Sequence, residues 1–285
     1  MEKINTFVIP HLNYKGIDKC LSSLRKYTPP NYYVILVDQS EEGRPDLEPL
    51  VDLRVRVKHL GFAKAMNTGI RLADTEYVSC FNDDVEFIDS RWWDGIIETF
   101  SKYGEQALGV NPASIRNPDG AGGHNVMPGF SYQENWTPVY YDKVLQDGKG
   151  YIIDGICIWG TVFKRDRLDR LPGTIPGKVW FDELFWPGGG EDYDMNRRAY
   201  MTCSHCYRHK QEHPFSDHEF RSLRMLGTNL SYCWHWWYST RSPITGVASV
   251  KFDGKTFSKK WNFENPDIYG KTGPQDIPLN TLKNY

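Results

Sequence analysis

From Tyr77 to Phe87 the chain reads Tyr-Val-Ser-Cys-Phe-Asn-Asp-Asp-Val-Glu-Phe. An apolar run is cut by two adjacent carboxylates, Asp83 and Asp84, and then resumes. Its length and its β-branched and aromatic residues fit a buried strand, although periodicity by itself also allows a buried helical segment. In an open α/β sheet, ligands sit in the crevice at the carboxyl ends of the strands. A strand over 77–81 would deliver both acids to that edge. Neighbouring carboxylates repel, and one pKa rises unless positive charge stands beside them. A divalent cation on a nucleotide diphosphate would supply that charge, since hard oxygen ligands suit Mg²⁺ or Mn²⁺. A solvated acidic turn is the competing reading of so short a motif.

The surrounding pattern supports an α/β fold. Thr6–Pro10 is a short apolar strand closed by proline, and Ile17, Cys20, Leu21 and Leu24 then recur at helical spacing from Gly16 to Tyr27. Thr28-Pro29-Pro30 ends that helix, because the residue before a proline is pushed out of the α region. Tyr32–Val37 is a second strand with Asp38 at its carboxyl end, and Arg54–Lys58 a weaker third. Between Gly61 and Ala73, the residues Phe62, Ala65, Met66, Gly69, Ile70 and Ala73 share one helical face. After the acidic strand a further helix is predicted over Ser90–Tyr103, with Ser90 as its N-cap. Alternation of this kind argues for a mostly parallel sheet with helices on both sides.

Composition narrows the function. A formal net charge of −2 gives no global electrostatic case for nucleic acid. No apolar stretch reaches the roughly 18 residues a spanning helix needs, and the first residues, Met1 to Asn5, lack a signal-peptide layout. A cytoplasmic location is expected, either free or peripheral at a membrane. The six cysteines are not at framework spacings and are expected to be mostly free thiols.

Thr6–Pro10, Asp38, the run His59-Leu60-Gly61-Phe62-Ala63-Lys64-Ala65-Met66-Asn67-Thr68-Gly69-Ile70 and Phe81-Asn82-Asp83-Asp84, in this order, resemble inverting family 2 glycosyltransferases with the GT-A fold, the rhamnosyltransferase-like members included. The resemblance implies that Pro10, Asp38, Lys64, Asn67 and Asp83 bind a nucleotide sugar, with Asp38 on the base and Asp83 near the ribose or sugar. Asp84 would coordinate a cation, Mn²⁺ or Mg²⁺, on the donor diphosphate. Many members carry a third acidic residue where this chain has Asn82.

Phe181-Asp182-Glu183-Leu184-Phe185-Trp186-Pro187-Gly188-Gly189-Gly190-Glu191-Asp192-Tyr193-Asp194 is a glycine-rich turn breaking into an acidic helix start. Acidic residues suit a first helical turn in any protein. The resemblance extends to this segment and implies Asp192 as general base, with Glu191, Trp186 and Gly189 on the acceptor. It also implies that His235 completes the metal shell, against the alternative of a half-buried histidine in an aromatic cluster. Lys259 or Lys260 could meet the diphosphate or be merely solvated. Cys203, Cys206, His209 and His213 have metal-ligand chemistry, but one helical face cannot easily surround an ion, so a surface helix is favoured.

The expectation is thus one GT-A domain over 1–262, mostly parallel, with a nucleotide-sugar half (5–110), a loop-rich acceptor half (111–262) and a C-terminal tail (263–285). The tail either packs along the domain or joins a homo-oligomer interface. The expected partners are a UDP-, dTDP- or GDP-linked sugar and a glycan or other hydroxyl acceptor. The rivals are a sugar nucleotidyltransferase, whose basic phosphate loop is not supplied by Pro10-His11-Leu12-Asn13-Tyr14-Lys15, and a non-catalytic carbohydrate-binding protein.

Overall fold

The computed structural model describes residues 2–115, 152–154, 158–171, 173–175, 177–185, 190–200, 202 and 223–235. Among these, nine strands form one sheet: β1 (Asn5–His11), β2 (Tyr32–Asp38), β3 (Leu53–Arg56), β4 (Tyr77–Phe81), β5 (Val85–Phe87), β6 (Ala107–Ile115), β7 (Ile152–Asp154), β8 (Gly160–Lys164) and β9 (Arg224–His235). The helices are α1 (Ile17–Tyr27), α2 (Phe62–Leu72), α3 (Trp92–Tyr103), α4 (Arg165–Leu168) and α5 (Glu191–Tyr200). None of them is long and apolar enough to cross a membrane.

The strand order is β3-β2-β1-β4-β8-β6-β9-β5, with β7 also on β9. The expected parallel pairing holds across β3, β2, β1 and β4. Beyond β4 the sheet is mixed: β8 runs antiparallel to both β4 and β6, whereas β6 and β9 run parallel. Two successive reversals make β9 run in the same sense as β4, so both end at one edge. The acidic stretch is two strands rather than one, because the chain turns at Asn82–Asp84 before β5 pairs with β9.

Alternation along β1 divides the core. Phe7 and Ile9 face α1 and α3 in one cluster with Leu21, Leu24, Phe81 and Trp92. Val8 faces α2 in the other, with Met66, Ile70, Phe181 and Met195. Ser90 does not cap α3: that helix begins at Trp92, and the Arg91 N–H is taken by the Asp89 side chain at 2.8 Å. An aspartate one position earlier outcompetes the serine because its carboxylate bonds both the backbone and the guanidinium of Arg91.

Two glycines are fixed by close approach. A Cβ on Gly69 would lie 2.2 Å from Val8 Cγ1, and one on Gly95 would lie 2.1 Å from the Leu230 carbonyl oxygen. The second is the harder limit, since α3 rests on the β9 backbone there. Gly95→Ala is therefore expected to destabilise the protein by about 1–3 kcal/mol through overpacking, in spite of alanine's helix propensity advantage of about 1 kcal/mol. Urea denaturation of the two proteins measures this.

Candidate active site

The carboxyl edge of the sheet gathers side chains from both halves of the chain. The β4–β5 turn carries Asp83 and Asp84, both buried. His11, the last residue of β1, donates from Nδ1 to Asp83 Oδ2 at 2.8 Å. His235, the last residue of β9, brings Nε2 to 3.2 Å from Asp84 Oδ1. Each acid thus faces its own histidine, and all four side chains are at least nine-tenths buried. Trp159 stacks flat on the His235 ring, with centroids 4.7 Å apart, and fixes its plane.

Burial pushes the Asp83 carboxyl up to about 6, with the His11 hydrogen bond opposing and the Asp84 charge adding to the rise. Tyr14 and Cys20 feel the same acids. Burial and then the charges of Asp84 and Asp83 raise the Tyr14 phenol to about 12, and burial followed by Asp83 and Asp84 raises the Cys20 thiol. Tyr14 folds back over Gly16, where a Cβ would sit 2.5 Å from the phenol oxygen. Neither His11 nor Tyr14 stands out in the sequence. The only signal is that both follow the strand-ending Pro10, itself buried and paired with Val37.

Asp38 is fully buried at the end of β2. Its Oδ1 accepts from the Ser40 hydroxyl and, at 3.1 Å, from the Ser40 N–H. Its Oδ2 accepts from the Arg44 N–H at 2.8 Å and from Arg54 Nη1 at 3.0 Å. These four donors match the lone-pair positions of a carboxylate, so Asp38 shapes the 38–44 loop from beneath. Burial works to raise its pKa, but the bonds from Ser40, Arg44 and Arg54 outweigh that and lower it. Beside it, Gln39 donates its N–H to His11 O at 2.7 Å and accepts the Leu60 N–H at 2.8 Å, which ties β1, β2 and the entry to α2 together.

Lys64 is exposed on the first turn of α2 and lies 3.9 Å from Glu183. Asn67 is wholly buried on the next turn. Its Oδ1 accepts the N–H groups of Trp180 (3.0 Å) and Phe181 (2.9 Å). Its Nδ2 donates to Phe181 O (2.8 Å) and Glu183 Oε1 (3.1 Å). The structure therefore places Asn67 under the site as a staple, with its amide already saturated.

Glu191 and Asp192 open α5 and are half-buried. Gly190 precedes them at φ +123°, a conformation that favours glycine, and a Cβ there would meet the Phe185 ring at 2.7 Å. Asp194 is buried against Arg198 at 2.9 Å. The Leu223 N–H donates to Thr202 Oγ1 just past the end of α5. The helix thus ends where β9 begins. Trp186, Gly189, the cysteine–histidine group at 203–213 and Lys259 and Lys260 lie outside the described residues. Among the described residues no group of three or more His, Cys, Asp or Glu side chains is arranged to hold a metal ion.

A sheet that is parallel through β4, mixed beyond it and acidic along one edge is the architecture of a GT-A glycosyltransferase. The family model for glycosyl transferase family 2 matches residues 6–171, more than half of the chain, and the protein belongs to that family. Mannosyltransferase PcManGT from Pyrobaculum calidifontis, solved in complex with GDP-Man and Mn²⁺, has a TM-score of 0.50 and 16% identity, covering 83% of this chain and 57% of that one. S. aureus TarS 1–349 in complex with UDP has a TM-score of 0.49 and 14% identity, covering 81% of this chain and 60% of that one. The chain thus spans 57% and 60% of these two structures. No curated protein matches it.

The Asp38 geometry yields a pH test. A carboxyl whose folded pKa is lowered stabilises the fold above its unfolded value, about 3.9, and that contribution fades as pH falls toward the folded value. Asp38→Asn is expected to lose about 3 kcal/mol at neutral pH, as when one partner of a buried ion pair is removed. The gap to wild type is expected to hold down to about pH 5 and to narrow below about pH 4. Thermal melts across that range read it out.

Proposed function

We propose that the protein transfers a sugar, with inversion, from a nucleotide diphosphate sugar to an acceptor hydroxyl. The observation that carries this reading is the Asp84–His235 contact of 3.2 Å beside Asp83 at the carboxyl edge of the sheet. Asp192 is the base. It takes the proton from the acceptor hydroxyl as that oxygen bonds to the anomeric carbon and the bond to the diphosphate breaks. Glu191 stands next to it on the first helical turn and supports the acceptor.

Asp84 and His235 would hold a divalent cation. The Asp84 carboxylate suits Mn²⁺ or Mg²⁺, and the His235 nitrogen 3.2 Å away favours the softer Mn²⁺ of the two; such an ion would complete its shell with substrate phosphates and water. When bound, such an ion stabilises negative charge on the departing diphosphate. The mannosyltransferase from Pyrobaculum calidifontis carries both GDP-Man and Mn²⁺, which supports this donor class. Asp83, kept in place by His11, would face the ribose or sugar. The 38–44 loop shaped by Asp38 would flank the base.

Asp192→Asn is expected to lower turnover by about 10²–10⁴-fold, the usual contribution of a positioned base, while nucleotide-sugar binding persists. Unchanged turnover would remove Asp192 from the mechanism, and a wild type that binds these sugars without transferring them would favour the binding-protein alternative. A nucleotide present with Mn²⁺ at about 100 times its Kd is expected to add about 2.7 kcal/mol of stability, read as a thermal shift. That shift is expected to vanish with chelator or in Asp84→Asn. An equal shift under all three conditions would count against the metal.

A further inference from the structure

We infer that Glu183 hydrogen-bonds a hydroxyl of the sugar being transferred, and that Asn67 is the residue that positions it. The inference rests on the glycosyl-transfer reading above and adds a donor-sugar contact to it.

Glu183 lies on the segment between Trp180 and Phe185, yet its carboxylate is held by α2, more than a hundred residues earlier in the chain. Asn67 Nδ2 donates to Oε1 at 3.1 Å, and Lys64 Nζ approaches Oε2 at 3.9 Å. Asn67 is itself immovable, because it is wholly buried and bonded to Trp180 N, Phe181 N and Phe181 O. An immobile amide thus grips one oxygen of a side chain that is still 33% exposed. Those two contacts use at most two of the roughly four acceptor positions of a carboxylate. The remainder point into solvent.

Placement sets the partner. α2 follows β3 and packs on β1 and β2, so its first two turns, with Lys64 and Asn67, lie at the carboxyl edge of the sheet. That is the edge of Asp83 and Asp84, on the nucleotide side of the fold. A carboxylate repels a diphosphate, so the ligand group it can accept is a hydroxyl donor, and the sugar of the nucleotide sugar supplies several. Holding the acceptor group beforehand removes the cost of ordering it on binding.

The test separates the sugar from the nucleotide. Wild type, Glu183→Ala and Glu183→Gln are titrated calorimetrically, with Mn²⁺, against UDP-glucose, GDP-mannose and dTDP-rhamnose, and against UDP, GDP and dTDP alone. For whichever nucleotide sugar wild type binds, Glu183→Ala is expected to weaken affinity by about tenfold or more, as for a lost bond to a charged group. The free nucleotide is expected to change by less than about twofold, with the thermal melt showing the variant folded at the temperature of titration. Asn67→Asp keeps the oxygen that receives Trp180 and Phe181 but turns a second oxygen toward both Glu183 and the Phe181 carbonyl, so it lowers the melting temperature and is titrated well below its melt. It is expected to reproduce the sugar-specific loss, and adding Glu183→Gln, which restores a donor–acceptor pair, is expected to recover part of it. Equal affinity of Glu183→Ala for the nucleotide sugar, or equal loss for sugar and free nucleotide, would overturn the inference and leave the transferase reading standing. Failure of wild type to bind any of the six would instead remove that reading, and the inference with it.

Discussion

Two carboxylates buried side by side are unstable unless each finds a compensating partner, because desolvation and mutual repulsion act together. Asp83 and Asp84 meet that condition with histidines from opposite ends of the described chain, His11 at the close of β1 and His235 at the close of β9. The pairing constrains the sheet. β1 and β9 must finish at the same edge as β4, although β8, antiparallel to both its neighbours, stands between β4 and β6 in the sheet. A strand β9 of opposite sense would carry His235 to the far edge and leave Asp84 without it.

The second half of the protein is attached by polar staples as well as by apolar packing. Trp180 is the hub. Its N–H goes to Asn67 on α2, its carbonyl takes Arg198 of α5 at 2.6 Å, and its indole N–H donates to Asp169 at 2.6 Å. Arg165 lies over its ring at 4.7 Å and donates onward to the carbonyls of Ile70 and Ala73 at the end of α2. Apolar contact alone tolerates sliding, whereas a saturated buried amide fixes register because any shift leaves unpaired groups. Trp180 and Phe181 are thereby fixed in register against α2.

Much of this was readable in the sequence. β1, α1, β2 and α2 announce themselves through short apolar runs and helical spacing, and the structure places them within a residue or two of expectation. The acidic turn was legible because a carboxylate pair is improbable inside a buried strand. Of its partners, His235 was named and His11 was not. His11, Gln39 and Trp180 have ordinary local contexts, and what makes them matter is who arrives from far along the chain. Ser90 misled for the same reason on a smaller scale, since the Asp89–Arg91 bond decides the start of α3. Asp38 sits where its motif says, yet its burial and four donors could not be read from the motif.

Asp38 also shows how the edge divides its work. A carboxylate with all its acceptor positions filled acts by shaping backbone, while one that is gripped on a single side keeps capacity for a ligand. Asp38 belongs to the first kind and Glu183 to the second. Asp83 and Asp84 lie between, each facing one histidine from deep burial. The acids along this edge are thus restrained in advance by the protein itself: His11, Asn67 and the loop around Ser40 and Arg44 donate to them, and His235 lies against Asp84. Groups oriented before a substrate arrives need no reorganisation when charge develops, which is where electrostatic preorganisation gains its effect. It follows that substitutions at the restraining donors, none of which need touch a substrate, are as informative about this edge as substitutions of the acids.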